Sequence, residues 1–161
     1  MTEGVEWAAH CAVVLALLPA EARLSASQLA QYHDVPGPYL AKALQALKRA
    51  GIVSSSPGRQ GGYRLARPAD QISLLDLVQA VEGDAPAFRC TEIRRRGPCR
   101  APAASYRATC SIAAAMWRAE AAWKEELSRC SVGDMVARVV SEAPPEVIKK
   151  AADWMSKAVA I

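Results

Sequence analysis

Three cysteines, Cys90, Cys99 and Cys110, stand in a stretch that also holds Arg94, Arg95, Arg96 and Arg100 and is broken by Pro98 and Pro102. The thiolate is the form of cysteine that attacks and that binds metal, and nearby arginines favour that charged form. Such a stretch predicts a site that senses redox state or holds a metal through sulfur. Glu6 and His10 add an oxygen and a nitrogen donor: four residues apart on a helix, they share a face and can converge on one ion. Both also have plainer readings, Glu6 as an acid favoured near a helix N-terminus and His10, close to Trp7, as a satisfied core residue. Cys11 in an apolar run and Cys130 at a helix end read as small packing residues.

The remaining chain must position these groups. With 161 residues and 52% hydrophobic content, it can bury one core of ordinary size or a small domain with an oligomerisation element. The patterning predicts a mainly α protein in four parts. A winged helix-turn-helix domain with a small two-stranded wing occupies 1–84, a cysteine-containing sensor loop 85–109, a dimerisation helix region 110–140 and a tail helix 141–161.

Val5 to Leu18 reads as a helix apolar on nearly every side, ending before Pro19. Ser25 and Ser27 offer caps for a short helix from Gln28 to Tyr32, and His33 to Gly37 supplies a turn in which His33 is a structural residue or a phosphate contact. Pro38 suits a first helical position, Leu40, Ala43, Leu44 and Leu47 recur at helical spacing, and Gly51 stops the run. Ile52 to Ser54 and Tyr63 to Leu65 then read as strands flanking a glycine-rich turn.

Helix, turn, helix and wing form the arrangement that sets the second helix in a DNA major groove. The net charge is +4, and between Val35 and Ala69 there are Lys42, Lys48, Arg49, Arg59, Arg64 and Arg67 but no acid. That field attracts polyanions. The expected DNA-contacting residues are Ser27, Gln28, Pro38, Tyr39, Lys42, Gln45, Lys48, Arg49, Arg59, Gly61 and Tyr63, with Tyr39, Lys42 and Gln45 nearest the bases and Arg59 at the wing tip.

Ser73 caps a helix striped by Leu74, Leu77, Val78 and Val81. Beyond the loop, Cys110 to Arg129 is a long helix whose Ile112, Met116, Ala119, Trp123 and Leu127 form the expected seam of a homodimer. Two-fold symmetry in turn predicts a palindromic double-stranded operator. No phosphate-binding glycine loop, nucleophile elbow or paired carboxylates suggest an enzyme. The apolar run Ala12 to Leu18 is too short to span a bilayer and has no basic residue before it, so a cytoplasmic protein with reduced thiols and no membrane partner is expected.

The string Gly58-Arg59-Gln60-Gly61-Gly62-Tyr63-Arg64-Leu65-Ala66-Arg67-Pro68, with Ile72 to Val78 and Ala80 to Gly83 after it, resembles the IscR, NsrR and CymR family of dimeric winged-helix regulators. The resemblance spans about residues 5–140. It implies a DNA-binding regulator, most simply a repressor, whose post-domain cysteines hold an iron-sulfur cluster that responds to nitric oxide or redox state. The chain departs from the pattern in two ways. Eight residues separate Cys90 from Cys99 and ten separate Cys99 from Cys110, where the family usually has five, and Ala113 stands where IscR-like members have a histidine.

Another ligand set is therefore expected. In NsrR-like members an acid of the first helix reaches the cluster from the partner subunit. By that resemblance a 2Fe-2S cluster would take cysteines of one subunit and Glu6 with His10 of the other, mixed ligation that raises the potential over all-thiolate sites. Two thiolates suffice, with Cys90 and Cys110 placed ahead of Cys99, and Trp7 could shield the cluster. The alternative is a cluster-free regulator that uses the same cysteines for thiol-disulfide or zinc chemistry.

Overall fold

In a computed structural model of the chain, residues 1–58 and 61–159 are described. The helices are α1 (Glu3–Ala16), α2 (Ala26–His33), α3 (Gly37–Arg49), α4 (Leu74–Glu82), α5 (Ser111–Arg129), α6 (Val132–Glu142) and α7 (Pro145–Val159). The strands are β1 (Val53–Ser56) and β2 (Gly62–Leu65). Short 3-10 turns at Ala69–Gln71, Ile93–Arg95 and Ala103–Tyr106 complete the order. The chain divides into two compact units, Met1–Gly83 together with the segment from Ser128 onward, and Asp84–Leu127.

The first unit is the winged helix. α1 buries Ala8, Cys11, Ala12, Val14 and Leu15, so the apolar run near the N-terminus is core. Ser25 opens α2 with a capping box: its hydroxyl accepts from the Gln28 amide, and the Gln28 side chain accepts from the Ser25 amide. Asp34, left-handed at φ 52°, ends that helix. The α3 stripe Leu40, Ala43, Leu44 and Leu47 lies against α1 and α2, and Gly51 at φ 68° lets the chain turn into the wing. Fully burying each leucine contributes roughly 1.5–3 kcal/mol, which is what holds α3 in place.

β1 and β2 pair antiparallel, Val53 opposite Leu65 and Ser56 opposite Gly62. Leu24 adds a third rail, exchanging backbone hydrogen bonds with Tyr63 at 2.7 and 3.1 Å. Two of the wing glycines, Gly61 and Gly62, are demanded by close approach. A Cβ on Gly62 would lie 2.7 Å from the Leu24 carbonyl, and one on Gly61 would collide with the backbone of Ser56 and Pro57.

The C-terminal helices join this unit. Val132 and Ile72 are fully buried, the Val132 amide donates to the Ile72 carbonyl at 2.8 Å, and the Leu74 amide donates to that of Cys130 at 2.8 Å. Gly133 lets α6 approach the Asp70 backbone, where a Cβ would sit 3.2 Å from its nitrogen. On α7, Trp154 packs edge-on to Tyr32 at 4.9 Å between centroids. The compact units thus divide the chain differently from the expected boundaries at 110–140 and 141–161. The reason is that the apolar residues of α6 and α7 find their partners on the winged helix.

In the second unit α5 buries only Ala113. The loop before it lies on the helix, with Trp117 Nε1 donating to the Phe88 carbonyl at 3.3 Å and the Ala87 amide donating to Glu120 at 3.2 Å. Residues 84–109, expected to lack regular structure, contain the two 3-10 turns at Ile93–Arg95 and Ala103–Tyr106. Among the described residues no helix is long and apolar enough to cross a membrane.

Candidate metal centre and nucleic-acid interface

Cys90 and Cys110 come together. Their sulfurs and a carboxylate oxygen of Glu92 lie within 4.8 Å of one another, all three side chains half-buried. Cys110 immediately precedes α5, where amide N–H groups point back along the helix axis. Hydrogen bonds from the amides of Ala113 and, less strongly, Ile112 hold its thiol below the usual cysteine range, with the Arg94 charge helping and partial burial opposing. That is the helix N-terminus acidifying a thiol. Cys99 is exposed and stands outside this group, so the wide spacing that brackets it belongs to a loop that carries it away from the pair.

Glu92 was not foreseen. Nothing in its spacing marks it, and the signal available in the sequence was its position as the acid among the arginines that follow Cys90. Its carboxyl is held low by the Arg94 side chain, which donates to both oxygens at 2.7 and 2.9 Å.

Glu6 and His10 both lie exposed on α1, as their helical spacing requires. The His10 ring stands 5.7 Å from that of His33. Burial lowers the His33 pKa below 6.5, the His10 charge adds to this, and His33 Nε2 is buried with no hydrogen-bond partner. Cys11 is fully buried in the core and its thiol is pushed up to about 12 by that burial, consistent with a packing role. Cys130 is half-buried between α5 and α6.

On the proposed DNA face, Pro38, Tyr39, Lys42, Gln45, Lys48 and Arg49 are all exposed along one side of α3, opposite its buried stripe. Lys42 Nζ lies 5.4 Å from the Tyr39 ring centre, a cation-π contact that leaves the ammonium in water. Ser27 is exposed at the start of α2, its hydroxyl 2.9 Å from that of Ser25. Gln28 has a structural task at both ends of its amide, to Ser25 and to the Ala158 carbonyl. Tyr63 is half-buried against the core, Gly61 sits in the wing turn, and Arg59 lies outside the described residues. Arg64 and Arg67 of the acid-free span are paired, with Glu21 at 2.9 Å and Asp76 at 3.1 Å. Among the described residues of that span, the basic groups outside ion pairs are Lys42, Lys48 and Arg49, all on α3.

The Rrf2 family model, described as iron-dependent transcriptional regulator, matches residues 1–138. Protein aau3 of Rhizobium meliloti is 35% identical over 109 residues, 68% of this chain and 67% of that protein. The HTH-type transcriptional regulator IscR of Cereibacter sphaeroides is 39% identical over 59 residues, 37% of this chain and 38% of its own length. The chain spans about half the length of YwgB of Bacillus subtilis and of a Synechocystis protein, which it matches at 39% and 45% identity. Two solved structures share the fold. CymR, the global cysteine regulator of B. subtilis, has a TM-score of 0.66 at 22% identity, covering 85% of this chain and 95% of its own. IscR of T. potens has a TM-score of 0.66 at 22% identity, covering 89% and 91%. These named relatives and neighbours are regulators and not enzymes where their names state a role. With its family model matched over the winged helix, the cysteine loop and α5, this chain belongs to the Rrf2 family of transcriptional regulators.

Proposed function

We propose that this protein is a DNA-binding transcriptional repressor that works as a homodimer and senses redox state or nitric oxide through a 2Fe-2S cluster at the dimer interface. The observation that carries the sensing half is the convergence of the Cys90 and Cys110 sulfurs within 4.8 Å across a loop, with Cys110 poised toward thiolate. Two such thiolates suit one iron of a cluster. The donors proposed for the second iron are Glu6 and His10 of another copy of the chain, both solvent-facing on α1 and so available to a ligand shared between subunits. When bound, the cluster supplies one-electron chemistry and a centre that nitric oxide attacks.

The protein's own groups do the rest. The basic face of α3 binds a duplex, Lys48 and Arg49 to phosphates and Tyr39, Lys42 and Gln45 toward base edges, at a palindromic operator. On α5, Ile112, Met116 and Trp123 remain exposed by 67%, 45% and 37%. An unpartnered apolar stripe of that length favours burial against a second copy. The seam and the donors of Glu6 and His10 then make dimer geometry answer to the cluster's state, and with it the spacing of the two α3 helices.

Anaerobic purification with iron and sulfide analysis and visible spectra tests this, repeated for Glu6→Ala, His10→Ala, Cys90→Ala, Cys99→Ala and Cys110→Ala. Loss of the cluster with Cys90→Ala and Cys110→Ala, altered spectra with the first two and an unaltered spectrum with Cys99→Ala are expected. A protein without iron or sulfide would overturn the cluster reading, and unchanged spectra for Glu6→Ala and His10→Ala would remove the mixed ligation.

A further inference from the structure

Arg94 ties together the two ends of the loop that carries the sulfurs. Its Nε and Nη2 donate to Glu92 Oε1 and Oε2 at 2.7 and 2.9 Å, and Nη2 also donates to the Ala108 carbonyl at 3.3 Å. Glu92 stands two residues after Cys90 and Ala108 two residues before Cys110. The guanidinium carbon lies 5.4 Å from the centre of the Tyr106 ring. Tyr106 closes the circuit, its hydroxyl donating to the Arg94 carbonyl at 2.6 Å and accepting from the Ala101 amide at 2.7 Å. A planar fork serves both carboxylate oxygens and the carbonyl from one side chain at preset angles, a geometry that a lysine ammonium does not preset.

Glu92 adopts φ 52°, a left-handed conformation uncommon for a residue with a Cβ. Strain of this kind persists where the surroundings hold it, and it gathers near functional groups. Here the holder is the Arg94 fork. Both carboxylate oxygens accept from Arg94, so Glu92 anchors the arginine beside the two sulfurs. The arginines of the loop separate accordingly: Arg94 is half-buried and engaged, whereas Arg96 and Arg100 are exposed.

We propose that Arg94 is the positioning residue of the thiol pair, clamping residues 92 and 108 together so that Cys90 and Cys110 face one another before any metal arrives. This gives the site its chelating geometry in a loop that has little secondary structure to provide it. The proposal rests on the reading of the pair as ligands, while the clamp is a property of the metal-free chain and can be tested there.

The experiment uses full-length, reduced, metal-free protein carrying Cys99→Ser and Cys130→Ser, with buried Cys11 left in place. A two-armed bimane reagent, which fluoresces once two thiols have displaced both its bromides, measures bridging of Cys90 to Cys110. A one-armed bimane measures each thiol's own rate, and far-ultraviolet circular dichroism checks that every variant is folded. Arg94→Ala is expected to slow bridging about tenfold relative to the one-armed rates, on the scale of the losses at metal sites when a group that orients a ligand is removed. Arg94→Lys should restore only part of the rate, Glu92→Gln should lose less than Arg94→Ala, and the double variant Arg94→Ala/Glu92→Gln should be no slower than Arg94→Ala alone.

Bridging that simply tracks the one-armed rates in every variant would overturn the clamp, because the arginine would then act on the thiols through charge alone. Anaerobic reconstitution with iron and sulfide provides the second readout, Arg94→Ala being expected to lose iron at least tenfold faster and to change the visible circular dichroism, with Arg94→Lys intermediate. Iron loss and spectra identical to the parent would also count against the clamp. A parent that takes up no iron, with bridging still dependent on Arg94, would overturn the cluster reading and leave the clamp standing.

Discussion

The side chain of Gln28 donates from Nε2 to the Ala158 carbonyl at 2.9 Å while its Oε1 accepts from the Ser25 amide at 2.8 Å. One residue therefore starts α2 and moors α7 beside it. Trp154, against Tyr32, supplies the apolar part of the same contact. Trp154→Ala should lower the unfolding free energy by about 1–3 kcal/mol, short of a full core truncation because the side chain is only half-buried. Urea denaturation followed by circular dichroism measures it, and an unchanged midpoint would show that α7 contributes nothing to this unit.

Charge along α3 makes a second prediction. Lys48→Ala and Arg49→Ala should weaken duplex binding at all sequences alike, each reducing the slope of log affinity against log salt by about one. Arg64→Ala should leave that slope unchanged, since its guanidinium is taken up by Glu21. Fluorescence anisotropy with operator and random duplexes over a salt series reads both quantities. A slope that falls as far for Arg64→Ala as for Lys48→Ala would move the binding face to the wing.

Thiol reactivity should rank by environment. In the reduced, metal-free protein, Cys110 should stay reactive toward iodoacetamide to lower pH than an ordinary cysteine, because the Ala113 and Ile112 amides stabilise its thiolate. Cys11, at about 12, should remain unlabelled in the folded protein up to the most alkaline pH the fold survives. Mass spectrometry of digests taken over a pH series gives the order directly.

His33 ties stability to pH. Its folded pKa lies below the ordinary 6.5, mainly through burial and secondarily through His10, so the fold favours the neutral ring. The unfolded chain then binds more protons in the interval between the two values. The contribution to stability is complete above 6.5 and disappears as pH falls through the folded pKa. Unfolding midpoints should drop as pH falls below the ordinary histidine value of 6.5, and His33→Gln should flatten that part of the profile. A parent profile that is flat or rises toward acid would contradict the assignment.

Much of this was legible from local pattern. Leu40, Ala43, Leu44 and Leu47 recur at helical spacing, and a stripe of that kind has one use. Gly61 and Gly62 were readable as wing glycines because backbone approaches too close for a Cβ leave the same trace in any sequence. The sequence places Cys90 and Cys110 ahead of Cys99, and that is the pair that converges; the Arg94–Glu92 fork beside it was not legible, because it has no periodic signature. Gln28 reads equally well as a cap and as a DNA contact until Ala158, 130 residues later, is seen to occupy its amide. The place of α6 was hidden for the same reason, because burial of Val132 depends on Ile72 and not on its own neighbours.

The pairing of Val132 with Ile72 also has a consequence for synthesis. The winged helix is interrupted in sequence by residues 84–127, and its core closes only when α6 returns to it. A ribosome that has made α3 and the wing has not yet made their final support. Contacts so distant in sequence are formed late and cost loop-closure entropy first. A nascent or truncated chain ending before Val132 would lack the contact that Val132 makes with Ile72 and be a substrate for chaperones and proteases. On the proposed function, duplex binding would then be confined to chains in which residues 84–127 have already been translated.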